Sequence, residues 1–217
     1  MDHTRKNEFS GLTVLDLSRY LPGGYATQVL ADMGAEVIKV EDTGRGDFCR
    51  HDEPVMQGES YYFTALARNK KSLSVNLKSR EGKEIFHKLA AKSDIILESF
   101  RPGVTTRLGI DYEQIKAVKP DIIYCSLSGY GQSNPNSLKA LHDINMQAQS
   151  GYLSLNGGKT SPLHLCDLAS GMVAAQAMLA ALYQRSVSGK GNYIDISMFD
   201  SFVWWNSMLD SRYYFYG

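Results

Sequence analysis

The sequence predicts an α/β fold with a parallel sheet and helices on both of its faces. Three observations point there. The run "LTVLDL" (Leu12 to Leu17), the glycine-bearing turn at Pro22 to Gly24, the helix-like "YATQVLADMGA" and the strand-like "AEVIKVE" fall within about 30 residues, which spells a strand–helix–strand unit with a right-handed crossover. The same alternation then recurs to the end of the chain, as expected when helices cover both sides of one sheet. With 217 residues, 43% of them hydrophobic, the chain is long enough for one good core and short for two.

Each element has its own signal. Leu12 to Leu17 is an aliphatic run that stops at the turn-prone "PGG". Ala26, Val29, Leu30 and Met33 recur at helical spacing, and Gly34 ends that helix. Glu36 to Glu41 follows as a second strand. "KSLSVNL" gives a third, after which Ser79 can cap a helix whose Ile85, Phe86, Leu89 and Ala90 form one stripe. "DIILES" is a strand, Asp111 to Val118 a short helix, and "DIIYCSLSGYG" a strand ending in Ser128, Gly129 and Gly131. A long helix rich in alanine and methionine runs from Asp167 to Arg185, "SGKG" turns, "NYIDISM" is the last strand, and an aromatic helix starts near Phe199. The stretches from Thr43 to Gly58 and from Gln132 to Leu141 are irregular loops, where function concentrates.

Composition excludes several classes. Lys plus Arg equals Asp plus Glu at 23 each, so no global field attracts nucleic acid or an anionic membrane. Cys49, Cys125 and Cys166 are odd in number and lack metal-ligand spacing, which predicts reduced, buried thiols with no disulfide and no zinc. A polar N-terminus through Glu8 and the lack of a membrane-length apolar run predict a cytoplasmic protein.

Chemistry is sought where strands end. A glycine turn before a helix offers N–H groups to phosphate, but "LPGGYA" lacks the spacing of a dinucleotide fingerprint and is equally a plain tight turn. Basic residues gather at "ARNKKS" and again at Arg101 and Arg107, each read as lying near the carboxyl end of a strand, where a phosphorylated ligand would bind. Between His142 and Asp167 lies the densest polar constellation. Asp167 begins a helix, whose dipole favours its anion by about 0.3 to 1 kcal/mol, so it is either a base or nucleophile or simply a cap. His142 is either functional or a hydrogen-bonded structural histidine. His3, His51, His87 and His164 suggest no role. The aromatic end, with Trp204, Trp205 and Tyr213 to Tyr216, reads as packing surface that something covers, so the chain alone is expected to pair or aggregate.

Six ordered segments carry a resemblance: "VLADMGAEVIKVE", "RNKKSLSVNLKSREG", "SDIILESFRPGVTTRLGI", "LSGYGQS", "HDIN" and "SGKGNYIDISM". Together they resemble the CoA transferase class III family (CaiB/BaiF type), which also houses α-methylacyl-CoA racemase, over Gly11 to about Asp210. The resemblance implies a Rossmann-like CoA-binding large domain over residues 1–217, no prosthetic group, and an acyl-CoA thioester as substrate. It also implies a homodimer, or a second chain, supplying a smaller domain that this chain does not contain. Lys70, Lys71, Ser99, Phe100, Arg101 and Arg107 correspond to CoA contacts, and Asp167 to the catalytic aspartate. Two reactions compete for it. "HDIN" resembles the racemases, in which His142 and Asp167 would exchange the α-proton of a 2-methylacyl-CoA. "QAQSG" (Gln147 to Gly151) resembles the transferases, in which Asp167 would attack the thioester and pass through an aspartyl-CoA intermediate. Racemisation is the expectation, transfer the alternative, and a non-catalytic or split-enzyme subunit a third reading. In place of a basic residue just after "IKVE", near the adenine, this chain has Asp42.

Overall fold

A computed structural model describes residues 8–216; His3 and nearly all of the polar N-terminal stretch lie outside them. Six strands form one all-parallel sheet: β1 (Thr13–Leu17), β2 (Glu36–Glu41), β3 (Lys70–Ser74), β4 (Ile95–Glu98), β5 (Ile123–Ser128) and β6 (Asn192–Ser197), in the order β3-β2-β1-β4-β5-β6. This is the doubly wound order, with β1 and β4 flanking the point where the chain reverses its direction of winding.

Alternation along the strands builds two cores. Val14, Ile95, Leu97, Ile123 and Cys125 face one way and bury against α1 (Leu21–Asp32) and α8 (Leu165–Ser188). Leu15, Leu17, Ile96 and Tyr124 face the other way, onto Phe86 and Ala90 of α3 (Arg80–Ala90) and Ile115 of α5 (Tyr112–Val118). Ser79 and Asp111 cap α3 and α5 through bonds to Gly82 N–H (3.0 Å) and Gln114 N–H (3.1 Å). In α3 the stripe is narrower than its spelling: Phe86 and Ala90 are buried, Ile85 is exposed.

The Pro22-Gly23-Gly24 segment is not a turn but the first turn of α1. Proline suits this position because its missing N–H has no helical partner there. Glycine is needed for closeness: a Cβ on Gly23 would lie 2.2 Å from Ser18 Cβ, and one on Gly171 of α8 would lie 2.6 Å from the Pro22 carbonyl oxygen. Small residues thus let α1 press against both the end of β1 and α8.

Beneath α1 lies a buried ionic network. Asp16, fully buried on β1, takes hydrogen bonds from Thr27 Oγ1 (2.6 Å) and the Lys70 ammonium (3.2 Å), and Lys39 stands 3.7 Å away. Lys39 also meets Asp47 at 2.7 Å and the Ser18 carbonyl at 2.8 Å. Burial by itself raises the Asp16 carboxyl, but Lys39 and Lys70 overcome it and hold it well below the carboxylate range.

The remaining elements were less legible. Residues 43–58 contain a 3₁₀ turn (Phe48–His51) and, with Glu59–Ser60, a two-stranded hairpin starting at Val55–Met56. Helices α2 (Tyr61–Ala67), α4 (Val104–Leu108), α6 (Asp143–Gln149) and α7 (Tyr152–Leu155) have no counterpart in the periodicity. The aromatic end forms α9 (Met198–Trp205) and α10 (Ser207–Tyr216), and most of its large side chains are exposed. Helix α8 is, among the described residues, long and apolar enough to cross a membrane, which corrects the expectation of no such run; here its alanine-rich face packs on the sheet. Its far end is fastened by Arg185, which bonds Asp94 Oδ1 (2.8 Å) and the Asp94 and Asp121 carbonyls. All three cysteines are free and buried.

Candidate active site

Across the carboxyl ends of β1, β4 and β5 opens a cleft of about 960 Å³. Arg19 and Tyr20 after β1, Ser99 to Arg101 after β4 and Ser128 and Gly129 at the end of β5 form its floor. The loop from Ser137 to Leu141 and residues His142, His164 and Asp167 form its far wall. A smaller recess, with Arg19, Lys78, Phe100 and Leu108 common to both, continues between the ends of β1, β2 and the chain after β3. Ligands bind in open parallel sheets at this crevice, where the strand order reverses.

The nucleophile candidate is set by two helices. Helix α8 begins two residues earlier than its spelling, so Asp167 lies in the first turn and His164 precedes the helix. Asp167 does not cap it. The capping acceptor comes from α6: Asp143 Oδ1 receives Cys166 N–H at 2.7 Å and Asp167 N–H at 3.2 Å, and Gln147 Nε2 donates to Oδ2. Asp143 is buried, so its fixed charge stands beside a second carboxylate. Burial, and then Asp143, push the Asp167 carboxyl up to about 7. A group poised there is only part ionised at neutral pH, and its anion, which water solvates poorly, is reactive.

His142, ahead of α6, is exposed; its own N–H is held by Asn145 Oδ1 at 3.0 Å. His164, which no sequence signal marked, is the histidine beside Asp167. Asp143, His164 and Asp167 offer atoms within 4.8 Å of one another. Asp143 is already occupied by three N–H donors, leaving two free ligands, fewer than the three or four of a usual transition-metal site.

On the floor, Ser99 Oγ accepts Arg19 N–H at 2.9 Å and the Arg19 guanidinium lies 4.9 Å from the Phe48 ring and 5.6 Å from the Phe100 ring. Arg19 also reaches Asp42 at 3.5 Å, so the acidic residue after "IKVE" is bound to a cation that the β1 end supplies. Phe100 N–H is held at 2.7 Å by Glu98, a buried carboxyl pushed up to about 7 by its burial. Tyr20 adopts a left-handed backbone (φ 61°), a strained conformation of the kind found where a site overrides local preference.

The structure brings Ser99, Phe100, Arg101, His142 and Asp167 to one cleft. Arg107 is exposed on α4, between the lining residues Val104 and Leu108 but not itself lining. Lys70 and Lys71 are a correction. They open β3 rather than follow it, at the end of the sheet away from the cleft; Lys70 is buried against Asp16, Thr27 and the Gly24 carbonyl, and Lys71 pairs with Glu36 at 2.6 Å. Arg19, Phe48, Tyr62 and His164 went unmarked, since each lies in a loop or short element whose place in the cleft is set by the fold.

Residues 9–214 match the model for CoA-transferase family III, and the chain belongs to that family. It is 42% identical over 209 residues to human succinyl-CoA:glutarate CoA-transferase, covering 94% of this chain and 48% of that protein. It is 39% identical over 201 residues to acetyl-CoA:oxalate CoA-transferase of Acetobacter aceti, covering 90% and 52%. The crystal structure of a CAIB/BAIF family protein from Brucella suis superposes with a TM-score of 0.91 at 33% identity, covering 96% of this chain and 57% of that one. The chain therefore spans about half the length of the curated relatives it matches.

Proposed function

We propose that this chain carries the CoA cleft and the nucleophile of a CoA transferase, which moves CoA from an acyl-CoA donor to a free carboxylic acid. The observation that carries it is Asp167: a desolvated carboxylate on the wall of a cleft large enough for a CoA thioester. Relatives named for succinate, glutarate and oxalate point to short dicarboxylates as acceptors. The adenine end takes the recess by Lys78, the phosphates lie near Arg19 and Arg101, and the thioester reaches Asp167. A homodimer mate or the family's smaller domain would cover the open side.

In the first step an Asp167 oxygen attacks the thioester carbon and the C–S bond breaks, giving a mixed anhydride and CoA thiolate. The thiolate then attacks the Asp167 carbonyl, releasing the donor acid as its carboxylate and leaving an aspartyl-CoA thioester. The acceptor carboxylate repeats the two steps in reverse, and Asp167 is regenerated. No water is consumed, so the cleft must exclude it.

The racemisation that "HDIN" suggested is set aside in favour of transfer. Its base, His142, is exposed at the cleft wall, and the relatives cited above are named as transferases. The test is intact mass spectrometry after mixing with succinyl-CoA: a covalent adduct of CoA less one water, cleared by oxalate or glutarate, is expected. Deuterium entering the α-carbon of a 2-methylacyl-CoA in D2O, with no adduct, would instead restore racemisation. Separately, Arg19→Ala and Arg101→Ala should each weaken CoA binding by about tenfold, the size of one lost charge-assisted contact, in calorimetric titration. Unchanged affinity in both would remove the phosphates from this floor.

A further inference from the structure

His164 stands out as a titratable side chain beside the reacting group that the transfer steps do not use. It precedes α8, three residues before Asp167. Its imidazole Nε2 is 2.8 Å from the Tyr62 hydroxyl, a contact that joins residues 102 apart in sequence, and the two rings lie 5.9 Å apart. A ring nitrogen also lies within 4.8 Å of carboxylate oxygens of both Asp143 and Asp167. A histidine is thus held from one side by Tyr62 and stands beside two carboxylates on the other.

We propose that His164, fixed by Tyr62, is a positioning residue that balances the charge of the Asp143–Asp167 pair, so that Asp167 stays ionised and aimed into the cleft. The inference rests on Asp167 as the nucleophile. Two carboxyl groups share one helix start, and the Asp143 Oδ1 already holds the N–H groups of Cys166 and Asp167. Relief has to come from a cation. The other titratable groups lining this part of the cleft are Tyr62 of α2, Cys49 of the 3₁₀ turn, Asp52 after it, and Lys139 and His142 before α6. Of these only Lys139 and His142 can carry positive charge, and among the described residues neither forms an ion pair with Asp143 or Asp167. Tyr62 keeps its proton, its hydroxyl being pushed up to about 12 by its bond with Tyr61 and by burial. It can donate to neutral His164 and accept from the imidazolium, and so holds the ring in both states.

The test reads Asp167 without turnover. With aspartate labelled by ¹³C at the carboxyl, Asp167→Asn identifies the Asp167 signal, which is then followed across pH. In His164→Gln, which keeps a hydrogen-bonding partner for Tyr62 but takes no proton, the Asp167 midpoint should rise by about 0.5 to 1 pH unit, the size of a solvent-screened charge at this range. Tyr62→Phe, which only releases the ring, should raise it less. In turnover, the acid limb of the rate profile should move with the same sign while the KM for the acyl-CoA stays put. An unmoved midpoint in His164→Gln overturns the proposal. A chain that titrates as expected but forms no CoA adduct would instead refute transferase chemistry, so the two readings fail separately.

Discussion

Replacing Asp167 by asparagine is expected to lower CoA transfer by about 10³-fold or more, because no other group can accept the acyl carbon and release it. The same change is expected to stabilise the fold at pH 7 and above. The Asp167 carboxyl sits at about 7 in the folded chain against 3.8 for the ordinary side chain. Between those values the folded state holds a proton that the unfolded state has lost, so stability falls as pH rises from about 4 to about 7. Above 7 the full penalty is present, with about 4 kcal/mol as its upper limit. Asparagine carries no such charge. Chemical unfolding at pH 5 and pH 8 should therefore show the variant gaining on the parent chiefly at pH 8. Catalysis runs the opposite way in the parent: transfer should rise about tenfold per unit below pH 7 and level off above it, as the nucleophile ionises. A variant no more stable at pH 8 than the parent would mean that Asp167 is better solvated than its surroundings indicate.

The second large effect lies far from the chemistry. Asp16→Asn is expected to destabilise the chain by about 3 to 5 kcal/mol, since it leaves the buried Lys39 and Lys70 ammonium groups with Asp47 and, for Lys39, the Glu41 carboxylate as the charges that answer them. Urea unfolding reads this directly. Lys70→Met, which removes the opposite charge, should also lose stability yet leave CoA affinity unchanged once the protein is folded. Weaker CoA binding in a folded Lys70→Met variant would return that lysine to the cleft.

This pair of lysines shows where the sequence is readable and where it is not. The strands and long helices carry period-two and helical patterns, because a sheet buried on both faces must be apolar and its cover helices must have one apolar side. The place of Ser99, Phe100, Arg101 and Asp167 along the cleft is legible, since the strand end or helix start beside each is fixed by that pattern. Lys70 and Lys71 were misplaced by a shift in one strand's start: β3 begins at Lys70 itself, which turns a loop after a strand into the strand's opening. Asp143 carries no local sign that it caps a helix 23 residues away. His164 and Tyr62 meet across 102 residues, and no spacing announces that contact. Pro22 to Gly24 spell a turn, yet fold as the first turn of α1, where the approach of Ser18 leaves Gly23 room for nothing larger than hydrogen.

Helix α8 joins two places that chemistry treats as unrelated. Asp167 stands at its start; Arg185, 18 residues on, is tied to Asp94 and Asp121 at the opposite end of the sheet, about 27 Å away along a helix rising about 1.5 Å per residue. Pinned by Asp143 at one end and by this arginine at the other, the helix acts as a strut of fixed length. The reach of the nucleophile into the cleft is thus gauged from the back of the molecule, and slack introduced there would be felt as a misaligned attack at the front.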